Sequence, residues 1–487
     1  MAVSMKPSWS EFASNSTLHG LRYVVGVSSW CRRSSWLFCI LTVTGIYLYF
    51  LAESVQQYVS KPINTHTSHE FPEDGMNFPL VTICNRNAVM KSKADIGYDD
   101  ERFKKLKLDL PACDTIRHVS GNLTCGQALL CAYHKYGSNV VENCDNNMVD
   151  KLRNALNTSS RIFNPEEFLR VYGHDIETMV VSYCRFSTDY VCSDKDFQPV
   201  MSPKGLCYEF KPKTKDGRPL KVQYTGGDGA LNVVLDTQTN EGTFGDWSIG
   251  FLAIVTWYGE VANRNRGFNV FPGSHAIVGV IPKMVKRLPA PYKTNCSERH
   301  LPGYTLYTKD ACVAQCFNNA TIAACGCRLE GEPGFPDIPV CSIQDAQCRT
   351  KAQENTNLAA CWCSMPCMER YFETTISYSK FPNKVGISII QKRFKLNRSE
   401  EYIRNNLVYL QIGFVELAYQ VDEQIPAYGP SSLFGDIGGN MGLFLGCSLL
   451  TVVEFLDHIC ILLLNKVRGD KKTNDIHNNQ STSTLST

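Results

Sequence analysis

Glu454 and Asp457 are the residues best placed to do chemistry, because of where they sit. Both fall in the second half of the apolar stretch 431–464, three residues apart and on one helical face. A carboxylate ionised in hydrocarbon costs about 3 kcal/mol unless it faces water or a partner. Two of them on one face suit the wall of a water-lined path that draws cations. The first half of the stretch is crowded with Gly435, Gly438, Gly439, Gly442 and Gly446, where a plain anchor would carry Leu and Ile. Glycine lets helices and carbonyl oxygens approach closely. Packing against a sister helix would account for Gly442 and Gly446, but it leaves the carboxylates unexplained. Gly446, Cys447 and Ser448 interrupt the apolar run with small, weakly polar groups. These residues read as a cation path.

No other stretch offers competing chemistry. Zincin, nucleophile-elbow and P-loop patterns are missing, so neither an enzyme nor a cofactor is expected. A net charge of +2 over 487 residues gives no reason to expect nucleic acid as a partner. The alternative from a different class is a membrane receptor or adhesion ectodomain that conducts nothing.

Two spans must position the carboxylates. From residue 441 onward the chain is long and apolar enough to cross a hydrocarbon core, which takes about 20 residues. An earlier apolar run, 36–52, follows Arg32 and Arg33, and the later run is followed by Lys466, Arg468, Lys471 and Lys472. Basic residues at these ends place both termini in the cytoplasm and make the protein multi-pass. The segment before the first run is polar, unlike a cleavable signal. The expected order is a cytoplasmic arm 1–33, a first transmembrane helix 34–59, an extracellular domain 60–430, a second transmembrane helix with the pore 431–465, and a polar, disordered tail 466–487.

The chain has 22 cysteines. Cys31, Cys39, Cys447 and Cys460 lie in or beside the apolar runs, and the rest fall between Cys84 and Cys367. Sequons stand at Asn122, Asn157, Asn295, Asn319 and Asn397. That combination belongs to an oxidising, glycosylated compartment. Scarce histidine and the lack of ribbon-type Cys-x-x-Cys pairs argue against zinc, so no metal is expected. The ectodomain reads as α+β. A strand is expected at 78–85, helices over 98–172, alternating strands over 179–287, and a strand-like return over 371–419. Between them, 296–367 packs ten cysteines around two helical stretches, one at about 308–324. A segment so short of core is stiffened by its bridges.

Four motifs in the right order resemble the degenerin/epithelial sodium channel superfamily, nearest to acid-sensing and invertebrate peptide-gated sodium channels. They are Thr17-Leu18-His19-Gly20, Phe78-Pro79-x-x-Thr82-Ile83-Cys84-Asn85, Leu288-Pro289-Ala290-Pro291-Tyr292, and Gly435-Asp436-Ile437-Gly438-Gly439-x-x-Gly442-Leu443-Phe444-x-x-x-Ser448. The resemblance implies a trimeric, amiloride-sensitive channel of the plasma membrane, a homotrimer or a heterotrimer with related subunits. The transported ion would be Na+, and the ectodomain would comprise palm, β-ball, knuckle, finger (about 86–180) and thumb (about 293–370). Gly446, Cys447 and Ser448 match the selectivity filter, with Cys447 where the family carries Ala or Ser. Glu454 and Asp457 match the acidic residues below it, and His19 and Gly20 match a re-entrant arm lining the lower pore. Ser432 falls near the degenerin position and the expected amiloride site. Tyr292 and Tyr58 match an aromatic gating contact. The implied disulfides are Cys84–Cys207, Cys184–Cys192, Cys296–Cys367, Cys312–Cys363, Cys316–Cys361, Cys325–Cys348 and Cys327–Cys341. Cys113, Cys125, Cys131 and Cys144 should form two more in the finger, with their pairing left open.

The resemblance also frames the stimulus. Proton gating in acid-sensing relatives relies on crowded carboxylates, whose repulsion raises their pKa, and on a His pair outside the first span. Here residues 59–63 hold no histidine, and 236–241 has fewer acids, although Asp337 and Asp345 are present. His66 and His69 read as solvated surface residues. The thin proton signature and the extra finger bridges favour an extracellular neuropeptide as ligand. Protons are the alternative, followed by constitutive, obligate heteromeric or mechanical operation.

Overall fold

The computed structural model describes residues 12–13, 15–25, 29–97, 101, 110–133, 144–158, 163–188, 190–202, 205–213, 217–242, 248–261, 266–393 and 396–464. The predicted tail 466–487 and residues 1–11 of the arm lie outside them. The chain forms two compact units.

The smaller unit joins residues 1–64, 291–293 and 425–487. Its first long helix, Trp30–Ser60, has 31 residues, so it starts four residues earlier and ends one later than the sequence reading placed it. At 1.5 Å per residue it is about 46 Å long, more than a bilayer core requires. Lys61 stops it in a left-handed conformation at φ 49°. It is the one helix among the described residues that is long and apolar enough to cross a membrane unaided. The second apolar segment is two pieces, Pro430–Leu445 and Leu449–Leu464, bent by 79° at the break between them. Pro430 sits at the first helical position, where its missing N–H costs nothing. The helix loosens into a π-type turn at Met441–Leu445 before it ends.

The larger unit, residues 65–290 and 294–424, is built on two sheets. The strand Ser274–Lys286 is the spine of a mixed eight-stranded sheet. It pairs antiparallel with Met368–Lys380, and parallel with Leu407–Phe414 and then Tyr419–Pro426 in succession along its length. Leu231–Asp236 and Val180–Phe186 extend the sheet beyond Leu407–Phe414. The second sheet is antiparallel, in the order Phe268–Val270, Phe251–Thr256, Leu80–Asn85, Gly205–Phe210, Phe197–Ser202. Leu80–Asn85 and Phe251–Thr256 are buried at every position, in keeping with their largely apolar composition. Phe78, Phe186, Phe210 and Phe414 fill the core between the sheets.

A helical layer, with Leu110–Ile116, Cys125–Tyr133, Asn146–Thr158 and Pro165–Tyr172, has its own core around Leu129, Leu152, Phe168 and Tyr172. Cys113–Cys125 and Cys131–Cys144 clamp it, closing the pairing left open by the sequence. Five nested bonds, Cys296–Cys367, Cys312–Cys363, Cys316–Cys361, Cys325–Cys348 and Cys327–Cys341, run beside the helix Lys309–Cys325. Cys84–Cys207 and Cys184–Cys192 complete the set, and Cys31, Cys39, Cys447 and Cys460 are free thiols. All five sequon asparagines are exposed.

One expectation is corrected. The strand-like stretch 371–419 contains two helices, Lys384–Arg393 and Glu400–Asn406. Ile387 and Ile390, one turn apart, pack with Ile403 and Leu407, and Ser399 caps the second helix by accepting the Tyr402 N–H at 3.1 Å. Burial of one helical face and a good cap outweigh the β-branched composition of Val385 to Ile390.

Candidate functional site: a broken helix met by the N-terminal arm

The break in the second apolar segment falls at Gly446, Cys447 and Ser448. Gly446 takes a left-handed conformation (φ 57°, ψ 27°), and its N–H bonds back to Gly442 O at 3.1 Å. Space requires glycine there as well. A Cβ on Gly446 would lie 2.6 Å from His19 Nδ1 and 3.0 Å from His19 Cγ. The helix restarts with Ser448, whose N–H donates to Thr451 Oγ1 at 3.1 Å. Cys447 is half-buried, with its thiol directed at Met441 O.

The N-terminal arm folds back against this break. His19 Nδ1 lies 2.8 Å from Gly446 O, a distance for the imidazole N–H to donate to that carbonyl. Gly20, at φ +91°, turns the arm where a Cβ would meet Ile40 and Trp36 of the long helix. Tyr23 stacks on Trp36 with ring centroids 4.8 Å apart. His19 and Gly20, which the resemblance assigned to a re-entrant arm, thus lie against the helix break and the long helix respectively.

Two neighbours escaped the sequence reading. Thr17 Oγ1 lies 2.6 Å from Thr451 Oγ1 and donates to Glu454 Oε2 at 3.1 Å, and the Thr17 N–H reaches the same oxygen at 3.3 Å. Phe12 stacks on His458 at 4.2 Å and meets Phe455 edge-on. Glu454 is therefore held by the arm, while Asp457, three residues on, is exposed. The spacing of Thr451, Glu454 and His458 on one helical face was the available signal.

Ser432 is exposed in the first turn of Pro430–Asn440, and a Cβ on Gly435, one turn on, would meet nothing within 4 Å. Asp436 accepts a hydrogen bond from Tyr428 OH at 2.5 Å. Tyr58 and Tyr292 make no ring contact with each other among the described residues. Instead the Lys61 ammonium lies 3.8 Å from the Tyr58 ring centroid, carried there by the left-handed turn that ends the long helix.

In the larger unit, Asp236 and Asp345 among the carboxylates named above have structural partners. Asp236 is buried and accepts from the Gln238 N–H and Tyr402 OH, both at 2.9 Å. Burial raises its pKa, and those two hydrogen bonds offset the rise only in part. Asp345 takes the Ser342 N–H at 2.7 Å in a capping box, Glu241 takes the Ser92 N–H at 2.7 Å, and Asp337 is exposed. His66 and His69 lie exposed on a strand.

The helical layer and the disulfide ladder are joined by opposite charges. Arg328 donates to both oxygens of Glu166, at 3.0 and 3.1 Å, and the Gly331 N–H adds a third bond. Burial pushes Glu166 up, but these bonds outweigh it and hold its carboxyl below the usual range. Tyr133 OH and Arg349 converge on Glu330 in the same region. His174 is buried between Gln238 Oε1, 2.6 Å from Nδ1, and Asn87 Nδ2, 2.9 Å from Nε2. With Nδ1 donating and Nε2 accepting, the neutral ring satisfies both partners, and burial lowers its pKa.

Known proteins match along nearly the whole chain. The family described as "Amiloride-sensitive sodium channel" matches residues 12–458. Acid-sensing ion channel 2 of Rattus norvegicus is 30% identical over 491 residues, covering 95% of this chain and 88% of its own. Acid-sensing ion channel 4-B of Danio rerio is 30% identical, covering 94% and 77%, and acid-sensing ion channel 1 of Gallus gallus is 29% identical, covering 96% and 87%. Since the match runs from the arm through the ectodomain to the broken helix, the chain belongs to the amiloride-sensitive sodium channel family and is a sodium channel.

Proposed function

We propose that the chain is a subunit of a trimeric, amiloride-sensitive Na+ channel of the plasma membrane, opened by an extracellular neuropeptide. The long helix and the broken helix are its two spans, both termini face the cytoplasm, and the glycosylated, disulfide-bonded unit faces outside. The observation that carries this reading is the helix break at Gly446–Ser448, met by His19 and followed by Glu454 and Asp457. Three copies would bring three short Gly446-Cys447-Ser448 segments together as a constriction. Carbonyl and hydroxyl oxygens there would replace part of the ion's water, and the acids below would concentrate cations.

In this reading the two sheets are palm and β-ball, the helical layer is the finger, and the disulfide ladder is the thumb. A ligand on finger and thumb shifts the thumb as a stiff body. The strands Ile63–Glu70 and Tyr419–Pro426, which adjoin the two spans in the chain, pass the movement to the pore. Two observations favour a peptide over a proton. Two bonds brace the finger, and finger and thumb are joined by the Arg328–Glu166 pair. A carboxylate held below its usual range has nothing to release or bind between pH 7 and 5. The second reading, proton gating, draws on the acid-sensing names of the relatives and on buried Asp236, whose pKa is raised.

Two-electrode voltage clamp on oocytes expressing this chain tests the reading. A bulky residue at Ser432, or one turn on at Gly435, is expected to give a standing Na+ current that amiloride blocks. Acid and amidated neuropeptides applied to the wild type then assign the stimulus. Silence of every variant at the cell surface, alone and with related subunits, would refute the channel assignment for this chain.

A further inference from the structure

The disulfide ladder turns one large side chain outward. Trp362 is 75% exposed, although it stands between Cys361 and Cys363, which are bonded to Cys316 and Cys312 of the helix Lys309–Cys325. Its backbone is left-handed, at φ 50° and ψ 39°. That conformation strains any residue with a Cβ, and glycine would relieve it. Burial does not offset the strain, because the indole faces out, and Leu358, four residues earlier, is 51% exposed as well. An exposed tryptophan held in a strained backbone points to something that covers its ring.

Beside it a groove of about 680 Å³ runs between Lys309–Cys325 and a second helix, Ala346–Glu354. Cys316 lines the groove, and its bond to Cys361 sets Trp362 at that end. Ala320 and Ala324 continue the wall with small side chains. The polar groups along it include the amides of Gln347, Asn355 and Asn357, and no carboxylate lines it among the described residues. Amides both donate and accept, so the groove suits a neutral ligand rich in hydroxyl and amide groups. Its volume is in the range of ligand sites.

The sequence supplies such a ligand. Asn319, of the sequon Asn319-Ala320-Thr321, is exposed on the same helix, three residues or about 4.5 Å of rise beyond Cys316. Helical side chains lean toward the N-terminus, so Asn319 is directed back toward Cys316 and Cys312, the turns to which Trp362 is tied. Thr321 is buried, its hydroxyl donating to Phe317 O at 2.8 Å, but a sequon is read on the emerging chain, before that burial.

We propose that the N-linked glycan of Asn319 folds back onto the ladder, with its first N-acetylglucosamine stacked on Trp362 and its second lying in the groove. The axial C–H groups of this sugar carry partial positive charge and match the negative face of the indole. Its acetamido groups match the amides of Gln347, Asn355 and Asn357. Covered in this way, the indole is kept from acting as an adhesive patch. The proposal rests on the extracellular placement of the larger unit, since glycans are added in the secretory lumen.

The test is hydroxyl-radical footprinting of the full-length protein in lipid nanodiscs, with oxidation and glycans read residue by residue by peptide mass spectrometry. The sugar covers one of two ring faces, so its removal should raise Trp362 oxidation about twofold. Asn319→Gln removes it, and at an exposed helical position glutamine is the better helix former. Asn157→Gln, on another helix of the same unit, should leave Trp362 unchanged, and half-buried Trp257, stacked on Phe372, serves as the reference. If Asn319→Gln fails to reach the surface, enzymatic deglycosylation of the wild type gives the same comparison. In Trp362→Ala the Asn319 glycan should be processed further toward complex forms, because its inner sugars lose their shelter. Equal Trp362 oxidation with and without the glycan would overturn the proposal, and strong protection in both would assign that face to a protein partner instead. An unglycosylated Asn319 among occupied sequons would overturn it as well. Five empty sequons would overturn it together with the extracellular placement.

Discussion

Replacing Gly446 by alanine tests the proposed pore site at a single atom. The new Cβ would stand 2.6 Å from His19 Nδ1, so the imidazole has to move, and the bond to Gly446 O at 2.8 Å goes with it. That bond is worth about 1 kcal/mol. The left-handed backbone at φ 57° adds roughly 1–2 kcal/mol for any residue with a Cβ. The sum is about 2–3 kcal/mol, or roughly a 30- to 150-fold loss in population of this conformer. Removing His19 first takes away the steric part. In a His19→Ala background the same substitution should cost only the backbone strain, roughly 5- to 30-fold. The assay is amiloride-sensitive Na+ current per channel at the oocyte surface, measured for both single variants and the double variant as a cycle. Equal penalties for Gly446→Ala with and without His19 would refute the reasoning, because the two sites would then be uncoupled.

Other consequences are checked more simply. Glu166→Gln removes the charge that Arg328 grips in a poorly exposed pair and should destabilise the purified protein by about 2 kcal/mol. A scanning-fluorimetry midpoint equal to wild type would count against it, and Arg328→Gln should add little to a protein already carrying Glu166→Gln. His174 has a folded pKa below its ordinary 6.5, so the unfolded chain binds the proton more readily. Its contribution to stability is complete above about pH 6.5 and is lost as the medium is acidified further. The charge would arise facing Lys93, with Asp175 and Glu241 compensating only in part. In His174→Gln the fall in unfolding midpoint between pH 7 and 5 should flatten, and an unchanged slope would exclude His174 as its source. Glu454→Gln should reduce inward Na+ current most at low ionic strength, with the difference shrinking as salt screens the remaining charges. A salt-independent deficit would place Glu454 in folding rather than conduction.

The parts of the site that follow from local chemistry were legible in the sequence. Glycines packed before Cys447 announce a helix that stops, and the break falls at Gly446–Ser448. Cysteine count and compartment pointed to bonds throughout the ectodomain, and the family pattern supplied seven of the pairings. What remained hidden depends on distant pairing. Thr17 and Thr451 meet across more than 400 residues, so neither residue type marks the contact alone. Thr82 and Thr256 look like ordinary strand threonines, and only the register puts both buried hydroxyls on one face of the sheet. The run Val385 to Ile390 reads as strand by composition, and only Ile387 and Ile390 sharing a core with Ile403 makes it a helix. The Tyr58 ring was available to more than one partner, and the backbone turn at Lys61 decided which.

The central place of Leu80–Asn85 in its sheet bears on how the protein is made. Both neighbours of this strand, Gly205–Phe210 and Phe251–Thr256, come much later in the chain. Cys207 follows Cys84 by 123 residues, roughly 6–25 s at ordinary rates of synthesis. Throughout that interval an apolar strand and its thiol wait unpaired in an oxidising lumen while six further cysteines emerge. Those six form the short-range bonds Cys113–Cys125, Cys131–Cys144 and Cys184–Cys192, separated by 12, 13 and 8 residues. Each pair can close as soon as its second member arrives, and each closure withdraws two competitors for Cys84. The local bonds thus act as timekeepers in biosynthesis, leaving Cys84 alone when Cys207 appears.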